Sequence, residues 1–175
     1  MPNWVSNRLT ISGPPEDIDR FAKVAGTMTR ATRKDGPPKV TPIKGKGKAK
    51  GIADNRSFRP EVLSFSHFIP QPRKFPKAIP KGYPGTPKWM RWRAKYWGTK
   101  WEPCWPEVKR VYRTRIRYWF STAWDAPVEF LERVSKRFPT LIFTLRSWQN
   151  GEWQSPCVFR TGSSYLIEKP TRKRR

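Results

Sequence analysis

Between Thr27 and Pro60 the chain has no apolar pattern that a helix or strand could bury. Lys and Arg alternate there with Gly and Pro, most densely in Lys44-Gly45-Lys46-Gly47-Lys48-Ala49-Lys50-Gly51. A connection of this length and composition reads as a flexible cationic loop, not as part of a core. Whatever folds must be assembled from the sequence on either side of it. Those flanks carry most of the rings of a chain with 10 Trp, 10 Phe and 5 Tyr, although hydrophobic residues make only 36% of the whole. A purely disordered basic chain is poor in aromatics, so the flanks are expected to fold. At 175 residues the length suits one domain. We expect that domain over residues 1–168, with basic insertions at 27–60 and 70–112 and a basic tail at 169–175.

Periodicity places the elements. Trp4 to Ser12 alternates Val5, Asn7, Leu9 and Ile11 with Ser6, Arg8 and Thr10, the pattern of a half-buried strand, and Gly13-Pro14-Pro15 ends it. Glu16, Asp17 and Asp19 then sit in a first helical turn, where carboxylates favour the dipole. Ile18, Phe21, Ala22 and Ala25 recur at helical spacing up to Gly26. Val62 to Ile69 reads as a second strand ended by Pro70, and residues 89–97 as a short helix. Arg113 to Thr122 alternates Arg113, Arg115, Arg117 and Trp119 with Thr114, Ile116, Tyr118 and Phe120, a strand with one cationic and one apolar face. Asp125 is positioned to cap a helix with Pro127 in its first turn and Phe130, Leu131, Val134 and Phe138 on its buried stripe. Leu141 to Trp148 is a fourth strand, and Val158 to Ile167 a fifth beside it.

Strand, helix, strand, strand, helix, strand is the split βαβ order of ferredoxin-like domains. The expected fold class is therefore α+β: an antiparallel sheet with two helices on one face and two long basic insertions. Three segments add a resemblance. Pro2-Asn3-Trp4-Val5-Ser6-Asn7-Arg8-Leu9, Trp97-Gly98-Thr99-Lys100-Trp101-Glu102 and Phe120-Ser121-Thr122-Ala123-Trp124-Asp125-Ala126-Pro127 resemble the signature segments of the YubB-type, Api-like proteins of plasmids and tailed phages. That resemblance implies a ferredoxin-like domain in a bacterial or phage setting and brings with it no catalytic residues. The chain departs from the family where Val5 replaces a frequent Cys, and where Gly151-Glu152-Trp153 replaces a more acidic segment. The Lys/Gly loop and Arg tail look like additions.

Charge points to a partner. The formal net charge is +24, from 37 Lys and Arg against 13 Asp and Glu. Self-repulsion on that scale opposes compaction and is relieved by a polyanion. Cations neutralise phosphates and release their counterions, while exposed rings accept stacked bases. The residues expected to contact nucleic acid are Lys44, Lys46, Lys48, Lys50, Arg91, Arg93, Lys95, Arg113, Arg115, Arg117, Arg172, Lys173, Arg174 and Arg175. Trp89, Trp92 and Trp105 are the stacking candidates; Trp97, Trp101 and Trp124 are assigned to packing. Aromatics among the cations favour RNA or a single strand, bound in the manner of a ribonucleoprotein subunit. The alternative is a mobile-element interaction protein that docks on a host or phage protein.

Other classes lack material. Cys104 and Cys157 are the only cysteines and form no CxxC spacing, so neither a disulfide scaffold nor a thiolate zinc site is expected, and the location is expected to be cytoplasmic. No basic leader precedes an apolar run, and no stretch approaches the ~18 apolar residues of a membrane helix. No membrane partner, metal or cofactor is expected. His67 is the single histidine and reads as structural; the carboxylates at 16, 17 and 19 are explained by the helix start. Trp97-Gly98-Thr99-Lys100 is a tight turn, not a phosphate cradle. With no HExxH, P-loop, GxGxxG or GxSxG motif, the chain is not expected to be an enzyme.

Overall fold

The computed structural model describes residues 3–26, 62–75, 86–149 and 151–167. In chain order it contains β1 (Trp4–Ser12), α1 (Pro15–Ala25), α2 (Phe65–Phe68), α3 (Lys88–Trp97), β2 (Cys104–Tyr112), β3 (Arg115–Ala123), α4 (Val128–Arg137), β4 (Ile142–Gln149), β5 (Glu152–Trp153), β6 (Cys157–Arg160) and β7 (Ser163–Leu166). The strands form one antiparallel sheet in the order β2-β3-β1-β4-β6-β7, with the short β5 pairing beside β4. The fold is α+β, a multi-stranded antiparallel sheet with several helices. It is not a plain βαββαβ unit: α2 and α3 stand between α1 and β2, and β6 and β7 widen the sheet beyond β4.

Alternation decides which side of the sheet is filled. Val5, Leu9 and Ile11 of β1, Ile116, Tyr118 and Phe120 of β3, and Phe143 and Leu145 of β4 are buried. They meet the apolar stripes of α1 (Ile18, Phe21, Ala22, Ala25) and α4 (Phe130, Leu131, Val134). Pro127 precedes α4 directly and no side chain caps it, so Asp125 does not play the capping role expected of it. The centre of the core is aromatic: Phe65 lies 4.1 Å from Phe130, and Phe21 lies 4.9 Å from Phe68 between ring centroids.

The expected second strand, Val62 to Ile69, is instead the single turn α2 with its extended approach. Phe65, Phe68 and Ile69 are spaced at i, i+3 and i+4, so a helical turn drives both phenylalanines into the core, whereas alternation would have sent Phe68 outward. Glu102 fixes this turn. Its carboxylate accepts the backbone N–H of Phe65 at 2.7 Å and of Ser66 at 3.0 Å, while Trp97 Nε1 donates to the Ile69 carbonyl at 3.0 Å. Replacing Glu102 with Ala orphans two amides, one at the buried Phe65. The expected loss is about 1–3 kcal/mol in a denaturant titration, and an unaltered midpoint would contradict the anchoring role.

The sheet's real second strand, β2, lies inside 70–112, the range read as insertion. Its burial alternates, but Trp105 takes φ +50° and the register with β3 shifts between Cys104 and Glu107 and again between Arg110 and Tyr112. These bulges break the period-2 signal. The helix expected at 89–97 is present as α3, and Gly98 closes it with φ +74°. A Cβ there would meet the Glu129 carboxylate and lie 3.2 Å from the Ala126 carbonyl, so the turn needs glycine. The single strand expected at Val158 to Ile167 is a hairpin, β6 and β7, turning at Thr161-Gly162.

The three segments that resemble the Api-like family converge at one end of the sheet. Asn7, buried on β1, donates to the Val5 carbonyl at 3.0 Å and to Thr122 Oγ1 at 2.9 Å, and accepts from Ser147 Oγ at 2.9 Å. Thr99 Oγ1 donates to the Ala123 carbonyl at 2.9 Å, and the Trp124 N–H donates to the Asn3 carbonyl at 2.7 Å. Both ends of the Asn7 amide are thus satisfied inside the core, and these residues tie β1, β3 and the α3–β2 connection together.

Candidate functional site

Helices cover one face of the sheet; among the described residues the other is open. On that face lie Trp4, Ser6, Arg8, Thr10 and Ser12 of β1, Arg115, Arg117, Trp119 and Ser121 of β3, and Thr144, Arg146 and Trp148 of β4, because each is the out-of-core partner in its strand's alternation. Register brings them together. Arg8 stands opposite Trp119 on one side and Arg146 on the other, Thr10 opposite Arg117 and Thr144, and Ser12 opposite Arg115. The result is a depression of about 310 Å³ lined by Arg8, Thr10, Ser12, Arg115, Arg117, Thr144 and Arg146. Among the described residues four guanidiniums and three hydroxyls line it, and no carboxylate does.

Electrostatics there are unbalanced. The guanidinium of Arg8 is held below the usual arginine range by burial first, then by the like charges of Arg146 and Arg117. Arg117 Nε is buried with no hydrogen-bond partner among the described residues. A buried donor without an acceptor costs free energy, and an anion entering the depression would supply that acceptor. Arg115 Nε reaches Ser12 Oγ at 3.3 Å. Among the described residues no group of three or more His, Cys, Asp or Glu is arranged to hold a metal ion. Burial, with Glu102 near Cys104 and Glu132 near Cys157, pushes both thiols up, which lowers the reactive thiolate fraction.

The sequence-selected residues separate into groups. Arg115 and Arg117 are in the depression; Arg113 is exposed at the β2–β3 turn, where its carbonyl accepts from Arg110. Arg91, Arg93 and Lys95 lie on α3, in the helix layer and away from the depression. Arg93 is half-buried, stacked over Trp89 and Trp97 at 4.7 and 4.9 Å and bonded to Gln71 Oε1 at 2.6 Å, so it serves packing. Lys44, Lys46, Lys48, Lys50, Arg172, Lys173, Arg174 and Arg175 lie outside the described residues.

The rings also redistribute. Trp89 is 5% exposed and cannot stack on a base, and Trp92 is half-buried against Tyr96 at 4.7 Å. The helix turns Trp89 inward, out of reach of a base, while Trp92 is partly covered against the core. Trp105 is 68% exposed. Trp97 is buried as expected and Trp101 packs against Trp4, whereas Trp124 is exposed with Lys100 over its ring. His67 is exposed on α2, not within a strand, with Nδ1 3.1 Å from the Val24 carbonyl. Arg8 and Arg146 were not singled out from sequence. Each is the lone cation of its strand, and only the strand order places them together.

The architecture is a sheet whose central order is β2-β3-β1-β4, with a helix layer on one face and the β6–β7 hairpin at the β4 edge. It has a solved counterpart. The crystal structure of a protein api92 from Yersinia pseudotuberculosis, family model DUF1281, superposes with a TM-score of 0.53 at 12% identity, over 97% of this chain and 99% of that one. At that identity the likeness is one of fold, and it supports a remote relationship to the Api-like proteins that the three converging segments resemble. No family model matches the sequence, and no curated protein matches it significantly. Among the described residues, no helix is long and apolar enough to cross a membrane.

Proposed function

We propose that the open sheet face binds nucleic acid through its phosphates. The observation that carries this reading is the depression itself: Arg8, Arg115, Arg117 and Arg146 converge without a carboxylate among them, and Arg117 Nε has no hydrogen-bond partner among the described residues. Guanidinium forks match phosphate oxygens, and Thr10, Ser12 and Thr144 add neutral donors. Contacts of this kind position a backbone and carry no sequence information. The Lys/Gly loop and Arg tail would extend the same electrostatic attraction as basic arms. We read β2-β3-β1-β4 as a ferredoxin-like core with additions, and the protein as a non-enzymatic, cytoplasmic binding component of a phage or plasmid system.

Titrating a generic oligonucleotide across a range of salt concentrations tests it. Log affinity should fall linearly with log salt, with a slope near −0.7 to −0.9 per phosphate contact. A second reading, docking on a host or phage protein, draws on the edge strand β7, where Tyr165 and Leu166 are exposed beside Ile167. It predicts no measurable oligonucleotide binding, even at low salt.

A further inference from the structure

We infer that the tryptophans at the other end of this face stack unpaired bases, which makes the ligand a single strand. The inference rests on the phosphate-binding reading and adds a second, chemically different subsite to it. Trp148 and Trp153 meet edge to face at 5.4 Å and remain 38% and 46% exposed. Trp105 rests against Trp4 at 5.0 Å and is exposed over most of its surface. Rings of this size ordinarily go into a core, and clustered apolar exposure marks a contact surface. Trp105 also adopts φ +50°, a conformation costly for a bulky residue, at a bulge that turns its ring outward.

Continuity joins the two subsites. Trp148 and Thr144 lie on the same face of β4, four residues and so about 13 Å apart. Arg8 belongs to both: it lines the depression and its guanidinium lies over the Trp153 ring at 5.5 Å. A flexible strand can set phosphates on the arginines and turn its bases onto the rings. A duplex cannot, because its bases are already stacked inside.

The experiment compares three probes on the full chain: a single-stranded oligonucleotide of about twelve residues, the matching duplex, and inorganic polyphosphate. The wild-type protein should prefer the single strand. The double change Trp105→Ala and Trp153→Ala removes one ring from each pair and should weaken single-strand binding by roughly thirtyfold or more, about fivefold or more for each base stack lost. Duplex and polyphosphate binding should fall far less, since only Arg8 among the phosphate-binding arginines lies over a removed ring, and Trp105→Phe with Trp153→Phe should restore most of the loss. An unaltered melting curve will show that each variant is folded. Equal weakening towards polyphosphate and the single strand, or no loss at all, overturns the stacking subsite alone. Failure of the wild-type protein to bind any of the three overturns the phosphate reading, and this inference with it.

Discussion

Changing Leu131 and Val134 together to Ala is expected to leave little folded protein at ordinary temperature. Both side chains are buried on α4, at 0% and 1% exposure, within the cluster that joins α1, α2 and the sheet. Removing a buried leucine costs about 2–5 kcal/mol and a valine somewhat less, because the space left behind collapses only partly. Single domains carry about 5–15 kcal/mol in all. The pair therefore removes a large share, and the thermal midpoint should fall by roughly 15 °C or more. Arg133, between them on the same helix, is exposed and lies over the Tyr96 ring, so a change there should cost at most about 1 kcal/mol and move the midpoint far less. A melting curve of the double variant that overlays the wild type would mean that α4 does not close the core as described.

That helix was readable because its apolar stripe has one period and no competitor. The same holds for β1, α1, β3 and β4, whose alternation or helical spacing runs unbroken. Where the period is interrupted, sequence reasoning fails in physically specific ways. At Val62 to Ile69, β-branched and aromatic content favours a strand, yet core space and the Glu102 carboxylate reward a helical turn. In β2 the bulges at Cys104/Glu107 and Arg110/Tyr112 shift the inward positions, so no simple pattern marks the strand. Half of the arginine depression was legible, since Arg115 and Arg117 alternate on one strand. Arg8 and Arg146 join them only through pairing of β1 with β3 and β4, a long-range fact that one strand's sequence does not hold. On α3 the density of cations and rings did not tell which of them pack and which are exposed, for the converse reason. On α3 the rings turn into the protein, and Arg93 stacks upon two of them.

The most direct measurement of the central claim is an oligonucleotide titration of two triple variants with equal charge loss. One changes Arg115, Arg117 and Arg146 to Gln, on the open face. The other changes Lys23, Arg133 and Arg137 to Gln, exposed on α1 and α4 in the helix layer. Glutamine keeps polarity and much of the length, so both should fold. If three phosphates are held in the depression, each lost contact removes about 0.7 from the salt slope, and affinity near 0.1 M salt falls roughly a hundredfold for the first variant. The second should lose only the weak, screened attraction of distant charges. A hundredfold difference with a flatter slope for the open-face variant is the result predicted; equal losses at matched salt would contradict a defined site and leave only diffuse attraction by a basic chain.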